Sequence, residues 1–166
     1  QYLESTNKKL PHLNRVVIGG SAVPERILRA FEENYQVEVV HAWGMTEMSP
    51  LGSLGSMTEN VLAQDHDTII KYKLKQGRPP FGVEMKTIND EGELLPRDGK
   101  TAGRLVVRGP AVAKGYFKNA GGNILDGEGF FDTGDVANID EHGYMQITDR
   151  AKAAIKSGGE WISSID

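Results

Sequence analysis

Arg15-Val16-Val17-Ile18-Gly19-Gly20-Ser21 is a short β-branched run that stops abruptly at two glycines, the pattern of a buried strand meeting a turn. Pro24 follows where the first turn of a helix tolerates a missing N–H, and Ile27, Leu28, Phe31 and Tyr35 recur at helical spacing. Val37, Val39 and Val40 form a second β-branched stretch that runs into His41-Ala42-Trp43-Gly44-Met45-Thr46-Glu47. Strand, helix and strand in this order imply a parallel pair, because parallel strands need a crossover between them.

Downstream, residues 52–76 mix Gly, Ser, Asp and Lys with little periodicity, so a long connection or a partly disordered loop is expected there, and no function is assigned to it. From Gly77 the texture changes to short alternating segments separated by turn residues. Val83 to Ile88, Asn89-Asp90-Glu91-Gly92 and Arg104 to Val107 read as antiparallel β structure. Val136 to Ile139 and Tyr144 to Thr148 flank Asp140-Glu141-His142-Gly143 as a second hairpin, and strands this dense imply a small barrel or sandwich. After Asp149, the charged and small residues Ala151 to Lys156 lead to Ser157-Gly158-Gly159, where flexible backbone is expected. The fold class is α+β.

Composition narrows the function classes. The 166 residues are 39% hydrophobic and 25% charged, which is ordinary for a soluble globular chain with one core. A formal charge of −4 without a basic run argues against a dedicated nucleic-acid binder, so anionic partners must be held locally. With no Cys there is neither a disulfide framework nor a thiolate metal site, and the four His show no ligand spacing. No apolar run approaches the roughly 18 residues of a membrane-spanning helix, and Gln1-Tyr2-Leu3-Glu4-Ser5 is not a signal peptide; a cytoplasmic protein is expected. Gln1 is not an initiator and Asp166 closely follows a Gly-rich turn, so both ends are expected to be cut from something longer.

Four segments carry candidate chemistry. Gly19-Gly20-Ser21 lies between strand and helix, where backbone can approach a nucleotide and helix N–H groups can meet an anion, or where two glycines simply make a tight turn. In Trp43-Gly44-Met45-Thr46-Glu47 a flat ring can stack on adenine, Gly leaves room for a substrate, Thr can hydrogen-bond a phosphate oxygen and Glu can give magnesium a hard oxygen ligand. The alternative there is a helix start in which Thr46 caps and Trp43 is core. Asp135 in Phe131-Asp132-Thr133-Gly134-Asp135 can accept both hydroxyls of a ribose, or be a turn acid. Asp149-Arg150-Ala151-Lys152 and Ile155-Lys156-Ser157-Gly158-Gly159 suit phosphate contact and a backbone that changes direction, or form a solvated basic loop.

Together and in this order, these segments resemble the superfamily of acyl-CoA synthetases, peptide-synthetase adenylation domains and firefly-type luciferases over nearly the whole chain. His41 to Pro50 looks like the aromatic-Gly-x-Thr-Glu element, Thr133-Gly134-Asp135 like the Thr-Gly-Asp element, and Asp149-Arg150 with Lys152, Ile155, Lys156 and Gly158 like the hinge element. Gly158-Gly159-Glu160-Trp161-Ile162-Ser163-Ser164, with Trp43 before Gly44, is most similar to medium- and long-chain fatty acyl-CoA ligases and methylthiopropionate ligases.

The resemblance implies the last strand–helix units of a large α/β subdomain over 1–76, a small antiparallel β-barrel over 77–148, and a hinge with the truncated start of a small C-terminal domain over 149–166. It implies a carboxylic acid, Mg-ATP and coenzyme A as reactants, acyl-AMP as intermediate, and charge neutralisation and positioning as the main catalytic needs. Carried over by motif, Trp43 would stack on adenine bordered by Gly20, Ser21 and Gly44, with Ile147 packed nearby. Thr46 would touch the α-phosphate, Glu47 would hold magnesium, and Asp135 would bind the ribose hydroxyls. Arg150 would contact ribose or phosphate, Lys152 would be the hinge pivot and Lys156 would serve the second step.

The sequence also departs from the family's pattern. The Gly/Ser/Thr-rich phosphate loop with its Lys occurs nowhere in it, and nothing follows Asp166 to supply the C-terminal adenylation Lys, so the chain alone is expected to be inactive. Arg104 stands where many relatives have an acid, which would alter a barrel contact, and Ala153 replaces a residue that is often acidic. The competing readings are an amino-acid-adenylating domain and a non-catalytic nucleotide-binding or interaction module.

Overall fold

The computed structural model describes residues 2–150, 155–157 and 160–162, with side chains through Asp149. A short helix, α1 (Tyr2–Thr6), precedes strand β1 (Arg15–Gly19), helix α2 (Glu25–Arg29) and strand β2 (Glu38–Gly44). β1 and β2 are parallel, with Val16 opposite Val39 and Ile18 opposite His41, as the strand–helix–strand reading requires. α2 runs on through a π-type turn, Ala30–Asn34, and makes the crossover. Its inward Leu28 is fully buried with Val23, Val39 and Ile70, while Val16, Ile18, Phe31 and Leu74 pack around them.

Residues 52–76 are more ordered than their weak periodicity implies. Strand β3 (Leu51–Leu54) lies antiparallel to β2 and completes a three-stranded sheet in the order β1-β2-β3. Two helices follow, α3 (Glu59–Leu62) and α4 (His66–Leu74). Asp65 caps α4 by accepting from the Thr68 backbone N–H at 3.0 Å. The pattern is faint because each helix buries little of itself: Val61 is the buried residue of α3 and Ile70 that of α4. Helices this short owe their stability to tertiary packing rather than to propensity.

The second half forms an antiparallel meander, β4 (Glu84–Ile88), β5 (Gly103–Arg108), β6 (Phe131–Ile139) and β7 (Met145–Arg150), in the order β4-β5-β6-β7. Strands β8 (Ile155–Ser157) and β9 (Glu160–Ile162) pair antiparallel. The class is α+β, as expected. Within the sheet β4 and β7 lie at the two ends, and Met145 of β7 makes a further antiparallel bridge to Gly77.

The two sheets share a core. Met48, just beyond β2, is buried with Met85, Leu105, Val107, Phe131, Ile139 and Met145, and Trp43, Met45 and Ile147 pack against this group. Residues 76–78, where the two halves were expected to divide, hydrogen-bond to both. Arg78 exchanges two 2.9 Å bonds with Leu54, and the Met145 backbone N–H donates to the Gly77 carbonyl at 2.8 Å. A Cβ on Gly77, which has φ +93°, would lie 2.1 Å from the Leu54 carbonyl oxygen, so only glycine fits between the sheets here.

Candidate functional site

A cleft of about 710 Å³ opens where β1 and β2 end, closed on the far side by β6 and β7. This is where an open parallel sheet binds ligands, because its helix N-termini and loops converge at the carboxyl ends of its strands. Gly20, Ser21, Trp43, Gly44, Asp135 and Ile147, separate in sequence, all line it. Gly20 adopts φ +85° and leaves open space where a side chain would stand.

Each wall has a local cause. The ladder between β5 and β6 pairs Val106 with Asp132 and then Arg104 with Val136, so two residues along β5 are matched by four along β6. Thr133, Gly134 and Asp135 are thereby pushed out of the ladder, as in a bulge. The Thr133 hydroxyl donates to the Leu105 carbonyl at 2.9 Å and accepts from the Asp135 backbone N–H at 3.2 Å, which fixes the bulge. Asp135 is buried, and its Oδ2 accepts a 3.0 Å hydrogen bond from the Trp43 indole N–H. The Trp43 ring also lies against Gly52, where a Cβ would fall 2.4 Å from Cζ3. Trp43 is thus partly core and partly cleft wall.

The floor is held by two buried polar residues. Nδ1 of His41 lies 3.0 Å from the Leu74 carbonyl oxygen and Nε2 lies 3.3 Å from that of Ser21, so one imidazole ties the loop after β1 to the end of α4. Gln76 accepts the Ile147 backbone N–H on Oε1 at 2.7 Å and so sets where Ile147 faces the cleft.

Thr46 and Glu47 stand apart from this lining. They belong to a 3₁₀ turn, Thr46–Met48, whose N-cap is Met45, so Thr46 is not the capping residue that one reading allowed. The Thr46 side chain is exposed and Glu47 is half-buried. Glu47 Oε1 accepts a 2.6 Å hydrogen bond from the Tyr116 hydroxyl, and this acceptance holds the phenol's proton above its usual range. Among the described residues no group of three or more His, Asp or Glu is placed to hold a metal ion. A lone carboxylate still fits magnesium, which keeps most of its waters and takes one or two carboxylates plus substrate phosphates.

Gly44, which lines the cleft, also has a packing reason of its own. A Cβ there would lie 1.8 Å from the Pro50 carbonyl oxygen, so the missing side chain makes room for the chain's own backbone. Arg150 ends β7 in register with Asp135, but its side chain and that of Lys156 in β8 lie outside the described residues, as does Lys152 altogether. His41, Gln76 and Tyr116 carry no role in the sequence reading. His41 could have been suspected as a polar residue inside a β-branched strand, whereas nothing local marks the other two.

A smaller groove of about 370 Å³ on the β4–β6 side, lined by Lys86, Arg104, Glu128 and Asp132, contains none of the expected residues. Its charges are largely matched within the chain, Lys86 to Glu128 at 2.6 Å and Arg104 to Asp132 at 2.8 Å. That second pair is the contact Arg104 makes in the sheet.

Residues 1–117 match the AMP-binding enzyme family. The chain is 50% identical over 158 residues to the medium-chain-fatty-acid–CoA ligase of Ectopseudomonas oleovorans, covering 95% of this chain and 29% of that protein. It is also 50% identical over 163 residues to the 3-methylmercaptopropionyl-CoA ligase of Ruegeria lacuscaerulensis, with the same coverage of each. In fold it is similar to the O-succinylbenzoate coenzyme A synthetase of Bacillus subtilis in complex with ATP and magnesium, with a TM-score of 0.77 and 27% identity over 98% of this chain and 32% of that one. The chain therefore spans about 29% of the curated relatives it matches first. No described helix is long and apolar enough to cross a membrane.

Proposed function

Because the chain belongs to the AMP-binding enzyme family, we propose that it builds the adenosine half of the active site in an AMP-forming acyl-CoA ligase. The observation that carries this reading is the bond between the Trp43 indole and Asp135 in one cleft at the strand ends, which sets a flat ring and an acceptor carboxylate side by side. Adenosine needs both: a face for the purine and an acceptor for the ribose hydroxyls.

In the reaction, a carboxylate oxygen of the acid attacks the α-phosphorus of ATP. The new P–O bond forms as the α–β bridging bond breaks and pyrophosphate leaves. The thiol of coenzyme A then attacks the acyl carbon, its proton is lost to solvent, and AMP departs. Trp43, Gly20, Ser21 and Ile147 orient the base, and Asp135 holds the ribose. These contacts fix the α-phosphate in line for attack, and positioning of this kind accounts for much of the rate in phosphoryl chemistry. Thr46, in the turn that follows β2, would meet the α-phosphate with its hydroxyl. Glu47 would hold magnesium, which supplies charge neutralisation at the phosphates. Tyr116 orients that carboxylate through its 2.6 Å bond, in the manner of outer partners that aim metal ligands. Arg150 and Lys152 act at the ribose and the domain pivot, and Lys156 in the thioester step. The names of the most similar relatives support a fatty acid or a short thioalkanoic acid as substrate.

The test is calorimetry with AMP on the full-length protein. AMP should bind, and Asp135→Ala should abolish most of that binding. A folded protein that binds no AMP, or an Asp135→Ala variant that binds like wild type, rejects the reading.

A further inference from the structure

We infer that Gln76 recognises the base, its carboxamide N–H donating to a ring nitrogen of the purine bound in the cleft. The inference rests on reading that cleft as an AMP site. Gln76 is buried, and three of its polar groups are committed: its backbone N–H donates to the Met145 carbonyl at 3.0 Å, its carbonyl accepts the Ser53 hydroxyl at 2.6 Å, and Oε1 accepts the Ile147 N–H at 2.7 Å. The last bond also settles which way the amide points. A backbone N–H can only donate, so the atom facing Ile147 must be the oxygen, and the NH2 group is turned away from β7.

Gln76 lines the cleft, and no described residue accepts from Nε2. The chemistry of the cleft selects the kind of acceptor. Among the described residues its lining has no Lys or Arg, while Glu25 and Asp135 contribute carboxylates, so a phosphate is poorly matched to this wall. A flat neutral ring carrying in-plane nitrogen lone pairs suits it well. Gln76 fixes Ile147, a residue already read as packing near the base, so the same side chain would position one wall and contact the ring.

Gln76→Glu separates these two roles, because it keeps an oxygen for the Ile147 N–H and replaces the NH2 with a second acceptor. The experiment is calorimetry on the full-length protein at pH ~8, well above the ordinary glutamate range, with AMP and its 1-deaza, 3-deaza and 7-deaza analogues. The expected result is that Gln76→Glu binds AMP at least about tenfold more weakly. One deaza analogue should bind wild type more weakly than AMP does and lose nothing further in the variant. Unchanged AMP affinity in Gln76→Glu overturns the inference. So does an equal loss for AMP and all three analogues, which would mark a purely structural residue. Wild-type protein that binds all three analogues as tightly as AMP overturns it without any variant. Asp135→Ala run alongside reports on the nucleotide reading itself: if it weakens AMP while Gln76→Glu does not, only the role of Gln76 is lost.

Discussion

The Trp43 indole N–H donates a 3.0 Å hydrogen bond to Oδ2 of Asp135, which lies 92 residues further along the chain. One partner ends a strand of the parallel pair and the other sits in a bulge of the antiparallel meander, so this bond ties the two sheets across the mouth of the cleft. It also holds the carboxylate in place before any ligand arrives.

Asp135→Ala should therefore weaken AMP more than Trp43→Phe does. The first change removes charge-assisted ribose bonds worth roughly 1.5 to 3 kcal/mol, a loss of more than tenfold in affinity. The second keeps an aromatic face and removes only one donor to Asp135, so a loss of about two- to tenfold is expected. Titration calorimetry on both variants checks the order; Trp43→Phe losing more than Asp135→Ala would mean that the indole matters for something other than stacking and this bond.

Gly44→Ala should destabilise the protein by about 3 kcal/mol even without ligand, since the added carbon would stand 1.8 Å from a backbone oxygen that cannot swing aside as a side chain would. Urea denaturation of the apo protein checks this. An unchanged midpoint would show that the Pro50 segment yields and that this close approach does not require glycine.

How much of this was legible in the sequence depends on how local the signal is. The parallel pair and the two hairpins could be read because β-branched runs, turn residues and helical spacing lie within a few positions of one another. β3, α3 and α4 could not be, because four-residue elements and a helix burying one side chain leave no period to detect. Gly20, Ser21, Trp43, Gly44 and Asp135 were suspected segment by segment from their chemistry and Ile147 only through the resemblance, whereas His41 and Gln76 join them in the cleft unannounced. That Gly44 makes room for Pro50, that Met48 enters the second core, and that Tyr116 reaches Glu47 are all contacts made by the finished fold.

His41→Phe should cost about 1 to 3 kcal/mol in stability and also weaken AMP, because the buried imidazole faces two carbonyl oxygens, those of Leu74 and Ser21, and phenylalanine offers neither of them a donor. His41→Gln, which can donate to one of them, should recover part of both. Denaturation and calorimetry on the pair would show it, and a His41→Phe variant of normal affinity would separate the Ser21 loop from nucleotide binding.

Tyr116→Phe should lower stability at neutral pH, and the difference from wild type should close in alkali. The Glu47 carboxylate raises the phenol above its ordinary value of 10.0. A folded-state value raised above the unfolded one gives a contribution that is complete below the unfolded value and is lost as pH rises through the folded one. Parallel denaturation curves from pH ~7 to pH ~11 read this directly; a gap that persists or widens in alkali would contradict the Tyr116–Glu47 bond.

Lys152→Pro in the full-length protein should leave adenylation largely intact and abolish thioester formation, since proline fixes φ near about −65° at the residue read as the pivot. Pyrophosphate exchange and acyl-CoA formation measured separately would show this split. Equal loss of both, with the fold intact, would make the segment a plain basic linker.

The central claim is that this cleft serves carboxylic-acid activation, and its most direct test is acid-dependent ATP–pyrophosphate exchange by the full-length protein. The account predicts exchange that requires a medium-chain fatty acid or 3-(methylthio)propionate and falls at least about tenfold in Asp135→Ala. No exchange with any acid of either class, or exchange that Asp135→Ala leaves unchanged, would contradict it.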